Sequence, residues 1–287
     1  MYERIAILGA GRVGAALALA LQHTGHELVA VVDADPQAAA KCANRYRKRG
    51  LVRTVDTLPA DLTLVFIATP DGRIQEAAQQ LANASRVTAR AVVCHLSGCL
   101  TADVLAPLAG LTKLLASCHP LASFTSASAG RRAFKDIPFA LEGDPTALQR
   151  LIPVIESVYG RYFFLAPGKK PLYHIACVLA SNYFVGLASM VEEVLKQAGI
   201  DSLEIMAPLY QSTLEHILQQ GPAQALTGPV VRNDVDTVRR HLQEIKTGFP
   251  QFVPIYKHLG LRLLALARQQ SPDADLSKME ELFTDEF

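Results

Sequence analysis

The stretch Arg4-Ile-Ala-Ile-Leu-Gly-Ala-Gly-Arg-Val-Gly14 constrains this chain more than any other. Ile5, Ile7 and Leu8 form a short apolar run that breaks into Gly9, Gly11 and Gly14 at the spacing G-x-G-x-x-G. It resumes as Ala16, Leu17, Ala20 and Leu21 at helical spacing. This is a strand, a tight turn and a helix expected to end near Gly25. The three glycines serve a turn at positive φ, an approach of bare backbone to a pyrophosphate, and close packing of helix on strand. The helix N-terminus adds unpaired N–H groups for phosphates. Gly9, Ala10, Gly11, Arg12, Val13 and Gly14 are therefore candidate dinucleotide contacts.

The next strand, Leu28 to Val32, delivers Asp33 at its carboxyl end. A carboxylate there accepts hydrogen bonds from the adenosine ribose hydroxyls and repels a 2′-phosphate, so NAD(H) is favoured and NADP(H) is the second choice. Asp33 also has a plainer reading, as an N-cap for the helix opened by Asp35-Pro36.

The chain of 287 residues is long enough for one large domain or two ordinary ones. Its net charge of +1 gives no electrostatic reason to expect nucleic acid or an anionic membrane as partner. The basic run Arg45 to Arg49 reads as a solvated helix end. Met1 leads almost directly into the first strand, so a cytoplasmic location without a leader is expected. The five cysteines include no C-x-x-C pair and read as free thiols. Cys94-His95 and Cys118-His119 each offer one ligand at most to a single site, because neighbours on a strand face opposite ways; no metal site is expected.

Alternation of strand and helix continues along the chain. Leu62 to Ala68, Ala91 to Leu96 and Leu114 to Cys118 are apolar runs of the kind found in parallel strands covered on both faces. They end in Thr69-Pro-Asp-Gly72, His95-Leu-Ser-Gly98 and His119-Pro120. Ala68, Thr69, Pro70, Asp71, His95 and Ser97 are thus candidate cofactor contacts, since ligands sit at the carboxyl ends of such strands. Ile137 to Glu142 and Arg161 to Leu165 read as two further strands around a helix from Pro145 to Tyr159. The fold class expected is α/β, a doubly wound, mostly parallel sheet of the Rossmann type, followed by an all-α domain. Gly168-Lys-Lys-Pro171 is the natural boundary, giving domains at 1–168 and 169–287.

From Pro171 to Gln197 runs one long apolar helical pattern, with His174 to Met190 free of formal charge. Such a stretch is at the short limit for a membrane span, and a helix buried in a core or a dimer is the expectation. Later helices are expected at Leu203 to Gln220 with a bend at Pro208, at Asn233 to Lys246 and at Phe252 to Gln269. Ser277 and Glu280 form a capping-box pattern ahead of a last helical turn.

Several fragments together, His95-x-Ser-Gly98, Cys118-His-Pro-Leu121, Tyr173-His174 with Ala180-Ser-Asn-Tyr183, and Thr227-Gly-Pro-Val-Val-Arg232, resemble a family of oxidoreductases of unassigned substrate. Its members join a Rossmann-like domain to a helical domain of unknown function, within the broader 6-phosphogluconate dehydrogenase-like group. The resemblance runs from about Ile5 to His258 and implies a nicotinamide-dependent reductase or dehydrogenase, related distantly to pyrroline-5-carboxylate reductase. It also implies a site between the domains and a homodimer formed through the helices. Many relatives in that broader group carry a lysine three or four residues before the asparagine that corresponds to Asn182. Here those positions are Leu179 and Val178, so a lysine acid/base at that place is excluded.

Hydride chemistry on a small carbonyl or imine then needs a proton-transferring group and substrate contacts. His119 and His174 are the candidates for the first; Ser181, Asn182 and Arg232 are the candidates for the second, with Arg232 pairing a substrate carboxylate. On one continuous helix His174 and Ser181 would share a face. The competing reading is a non-catalytic NAD-binding regulatory or scaffold protein, and a weaker one is a metal-assisted dehydrogenase using His95 and His119.

Overall fold

The computed structural model describes residues 2–46, 48, 50–124 and 132–285. Arg47 and Arg49 of the basic run lie outside the described residues. The chain divides into two compact units, Met1–Tyr183 and Phe184–Phe287. The division falls later than the Gly168 boundary expected from sequence, so the helix that opens at Lys170 packs with the strands that precede it.

The first unit is built on seven strands: β1 (Arg4–Leu8), β2 (Glu27–Val32), β3 (Leu64–Ile67), β4 (Val92–His95), β5 (Leu115–Pro120), β6 (Pro138–Gly143) and β7 (Arg161–Phe164). They form one sheet in the order β2-β1-β3-β4-β5-β6-β7, parallel throughout except where β5 meets β6. Alternate residues of the central strands feed two cores. Ile5, Ile7, Leu64, Phe66, Val92 and Cys94 face one side. Ala6, Leu8, Val65, Ile67 and Val93 face the other. Both faces are covered, which explains why β3 is apolar at every position and β4 is apolar up to its final residue, His95. Helices α1 (Arg12–Ala20), α2 (Pro36–Tyr46) and α4 (Pro145–Ser157) contribute to the first core, and α3 (Asp71–Ala84) to the second.

Helix α5 (Lys170–Ala180) completes the first unit, and α6 (Asn182–Gln197) runs on into the second. The single long helix expected over Pro171 to Gln197 is therefore broken. Ser181, at φ −121° and ψ −69°, lies outside helical geometry between the two pieces. Many of their apolar side chains are also not buried: Leu172, Ile175, Leu179 and Val185 are exposed, against the expectation of a core helix, while Leu195 is buried.

In the second unit, α7 (Ala207–Ala225), α8 (Val235–Gly248), α9 (Val253–Gln270) and α10 (Ser277–Thr284) surround Val230, Val238, Leu242, Leu264, Met279 and Phe283. The bend expected at Pro208 is absent, because Pro208 stands in the first turn of α7, where its missing N–H removes no helical bond. The kink is at Gly221, φ 80° and ψ 162°, just before Pro222. Nor does Ser277 cap α10: it is already helical, and its N–H donates to Asp275 Oδ1 at 3.0 Å.

Candidate active site

The strand order reverses between β1 and β3, and the crevice at their carboxyl ends is where open α/β sheets place ligands. Gly9 has φ +103°, and a Cβ there would lie 2.6 Å from the backbone of Ala68. A Cβ on Gly14 would collide with the Gly9 carbonyl oxygen, so both positions require glycine. Gly11 has open space beside it. It borders a groove of about 750 Å³ lined also by Asp33, Arg53, Thr69 and Arg73.

Asp33 closes the turn onto β2. Its Oδ2 accepts from the Ala10 N–H at 2.6 Å and its Oδ1 from the Asp35 N–H at 2.8 Å. A carboxylate has about four lone-pair positions, so each oxygen retains acceptor capacity for ribose hydroxyls. Thr69 Oγ1 is buried beside the groove without a hydrogen-bond partner among the described residues, and such a group is satisfied by a bound ligand or water. The bare backbone at Gly11, the uncapped start of α1 and this orphaned hydroxyl fit a dinucleotide. Arg12 is exposed and Val13 half-buried in the first turn of α1, and Pro70 precedes α3.

The ends of β4 and β5 carry a second layer. His95 is fully buried; its Nε2 donates to the Thr101 carbonyl oxygen at 3.0 Å and its Nδ1 accepts from the Ser97 N–H at 3.2 Å, a tautomer assigned from these partners. Both ring nitrogens are occupied inside the turn, leaving neither for a metal. Burial, and then the charge of Lys170, hold the ring neutral with its pKa down to about 4. Ser97 Oγ donates to Asp71 Oδ2 at 2.8 Å and accepts from the N–H groups of Cys99 and Leu100.

His119, near the end of β5, meets Tyr173 and His174 from α5. Its Nδ1 lies 2.9 Å from the Tyr173 hydroxyl, and its ring stands edge-on to His174 with centroids 6.4 Å apart. Gly98 touches both imidazoles: a Cβ there would lie 2.7 Å from His174 Cδ2 and 2.9 Å from His119 Nε2. Burial foremost, then Lys170 and His174, bring the His119 pKa down to about 4, against a smaller pull from Asp71. Burial pushes the Tyr173 hydroxyl up.

The residue that sequence reasoning passed over is Lys170, taken there only as part of a boundary. Its side chain is fully buried, and Nζ donates to the Ser97 carbonyl oxygen at 2.5 Å and to Ser117 Oγ. Burial lowers its pKa, opposed by Cys94, Glu142, Cys118 and Asp71. A signal was present: Lys170 stands one helical turn before His174, immediately ahead of a proline suited to the first turn.

The first unit thus brings together Asp71, Ser97, His119 and His174. Ser181 and Asn182 are exposed at the break after α5, and the expected face shared by His174 and Ser181 is interrupted there. Arg232 is exposed in the second unit, following the turn at Gly228.

Residues 2–120 match the model of a Rossmann-like domain, and residues 137–263 match that of the domain of unknown function DUF2520. No curated protein matches the chain by sequence. Among solved structures, the "putative NADP oxidoreductase BF3122" from Bacteroides fragilis is 21% identical with a TM-score of 0.76, over 92% of this chain and 98% of that one. Protein TM1727 from Thermotoga maritima is 26% identical with a TM-score of 0.70, over 93% and 99%. Prephenate dehydrogenase from Aquifex aeolicus shares the fold at 15% identity, TM-score 0.57, over 93% and 97%. The chain is a Rossmann-like domain followed by a domain of the DUF2520 family.

Proposed function

We propose that this protein is a nicotinamide-dependent oxidoreductase acting on a small carbonyl or imine substrate, or on the corresponding alcohol or amine, with a carboxylate on the molecule. The observation that carries the reading is the glycine cradle with the unpartnered Thr69 hydroxyl at its rim, followed along the same sheet edge by Ser97 and His119. A polar, partly desolvated cluster beside a dinucleotide groove is what hydride transfer requires of the protein.

The nicotinamide supplies or accepts the hydride when bound. His119 moves the proton: neutral at pH 7, it takes a proton from a substrate hydroxyl or amine on Nε2, while Nδ1 shares a proton with Tyr173. His174 borders the same space. Ser181 and Asn182 orient the substrate. Asp33 supports NAD(H), whereas Arg53 and Arg73 along the groove, and the NADP in the name of the Bacteroides relative, support NADP(H). The protein functions as a homodimer, in which a second copy covers the exposed apolar side chains of α5 and α6.

The test is a titration with NADH and NADPH, following nicotinamide fluorescence and melting temperature, then a screen of carboxylate-bearing ketones, imines and alcohols. Binding with turnover that falls in H119Q supports the reading. Binding without hydride exchange on any substrate class points to the non-catalytic NAD-binding alternative, and binding of neither nucleotide overturns both.

A further inference from the structure

Lys170 is gripped at two points, and each point is next to one of the groups that meet at Gly98. Its first partner, the carbonyl of Ser97, belongs to the residue that directly precedes Gly98. Its second, Ser117 Oγ, stands two positions before His119 on β5, on the same face of the sheet. Lys170 itself lies one turn before His174 on α5. Three elements therefore converge through one ammonium group, and their next residues, Gly98, His119 and His174, are in contact.

We propose that Lys170 is a positioning residue of this site, clamping the turn after β4 to β5 and α5 so that the His119 ring is held in place and within the influence of the ammonium charge. The inference rests on the reading of His119 as the proton-transferring group.

Burying an ammonium group is costly, and a neutral side chain could fill the same space. Its two observed acceptors are neutral oxygens, while the carboxylates of Asp71 and Glu142 act on it from beyond Ser97 and from β6. A retained charge in that position acts on whatever titrates nearby. The groups facing His119 are Lys170, Tyr173 and His174 from α5, Asp71 from α3 and His95 from β4. After burial, Lys170 opposes protonation of the ring most, ahead of His174.

The experiment is an NMR titration of the His119 imidazole in the full chain, assigned with H119Q, for the native protein, K170M, K170R and S117A, with no nucleotide added. In folded K170M the His119 midpoint rises by about 0.5–1 pH unit, because a like charge has been removed, and K170R restores it toward the native value. S117A keeps the charge but loses one anchor, so the Gly98 amide and His119 ring resonances move while the midpoint stays. An unchanged midpoint in folded K170M overturns the electrostatic part, and unchanged resonances in S117A overturn the clamp. Should K170M not fold, K170Q serves in its place, and S117A decides the clamp on its own. Neither readout involves turnover, so a failure here leaves the hydride-transfer reading standing, and a failure to bind nucleotide leaves these outcomes readable.

Discussion

Arg150 of α4 grips Glu3 at the amino edge of the sheet with two parallel bonds, Nη2 to Oε2 at 2.6 Å and Nε to Oε1 at 3.0 Å. Glu3 is almost wholly buried, and the same guanidinium also donates to the carbonyl oxygens of Thr63 and Arg90. One side chain therefore ties the start of β1 to the segments that enter β3 and β4. It does so at the end of the sheet opposite the glycine turn.

Removing Arg150 leaves the buried Glu3 carboxylate without its ion-pair partner. The R150M variant should lose about 3 kcal/mol or more of stability, since breaking a buried pair by deleting one partner is strongly destabilising. Urea unfolding checks this, and a loss below about 1 kcal/mol would show that water reaches Glu3. Nucleotide affinity at the far end should hardly change.

Asp33 shapes the turn and faces the groove, so its replacement has two effects. D33S loses the acceptor for the Ala10 N–H and the negative charge near the ribose. Affinity for NADH should drop about 10- to 100-fold, the range expected for a hydrogen bond to a charged group, while NADPH should lose less or gain. Equal losses for the two cofactors would mean that Asp33 acts only on the turn.

How far the sequence went depended on whether the signal was local. Gly9, Gly14 and Asp33 were legible because a tight turn, its packing and the strand end that faces it lie within one strand-turn-helix unit. The register of alternating faces was legible for the same reason in the central strands β3 and β4, which are buried on both sides, whereas β7 at the edge is largely exposed. Lys170 was not, because its partners, Ser97 and Ser117, come from distant strands and only the folded sheet brings them within reach. The reversal of β6 against β5 was equally hidden, as apolar strands of similar length read alike in either direction. Pro208 misled because a proline that starts a helix and one that bends it look the same until the helix boundary is known.

His95 and His119 make stability depend on pH. Both are held at a pKa of about 4 in the folded protein, against about 6.5 in an unfolded chain. The folded values are depressed, so below pH 6.5 the unfolded chain binds more protons. The stability these residues contribute is whole above about pH 6.5 and is lost progressively as pH falls toward 4. Each should account for about 2 kcal/mol between pH 7 and pH 5. Urea melts at the two pH values should show a smaller difference in H119Q than in the native protein, and an identical difference would mean that His119 titrates normally. Turnover that depends on the neutral ring should persist across the same range and fall only near pH 4.

The apolar surface of α5 and α6 separates three fates for that stretch. Leu172, Leu179 and Val185 are 63%, 54% and 66% exposed, and the span Lys170–Gln197 is long and apolar enough to cross a membrane. Large apolar patches left open to water mark surfaces that another molecule covers. If a second copy covers this one, light scattering gives twice the mass of one chain, and V185E or L179E shifts the population toward monomer. Each buried branched side chain contributes about 1.5–3 kcal/mol, so a charge in its place should weaken association by at least tenfold. If lipid covers it, the protein floats with neutral phosphatidylcholine vesicles, and both variants abolish flotation instead. A native protein that is monomeric and does not float would remove both covers, and the face would then have to be buried by a different protein. The dimer is the outcome expected, because the charge-free part of the span, His174 to Met190, is at the short limit for crossing a bilayer.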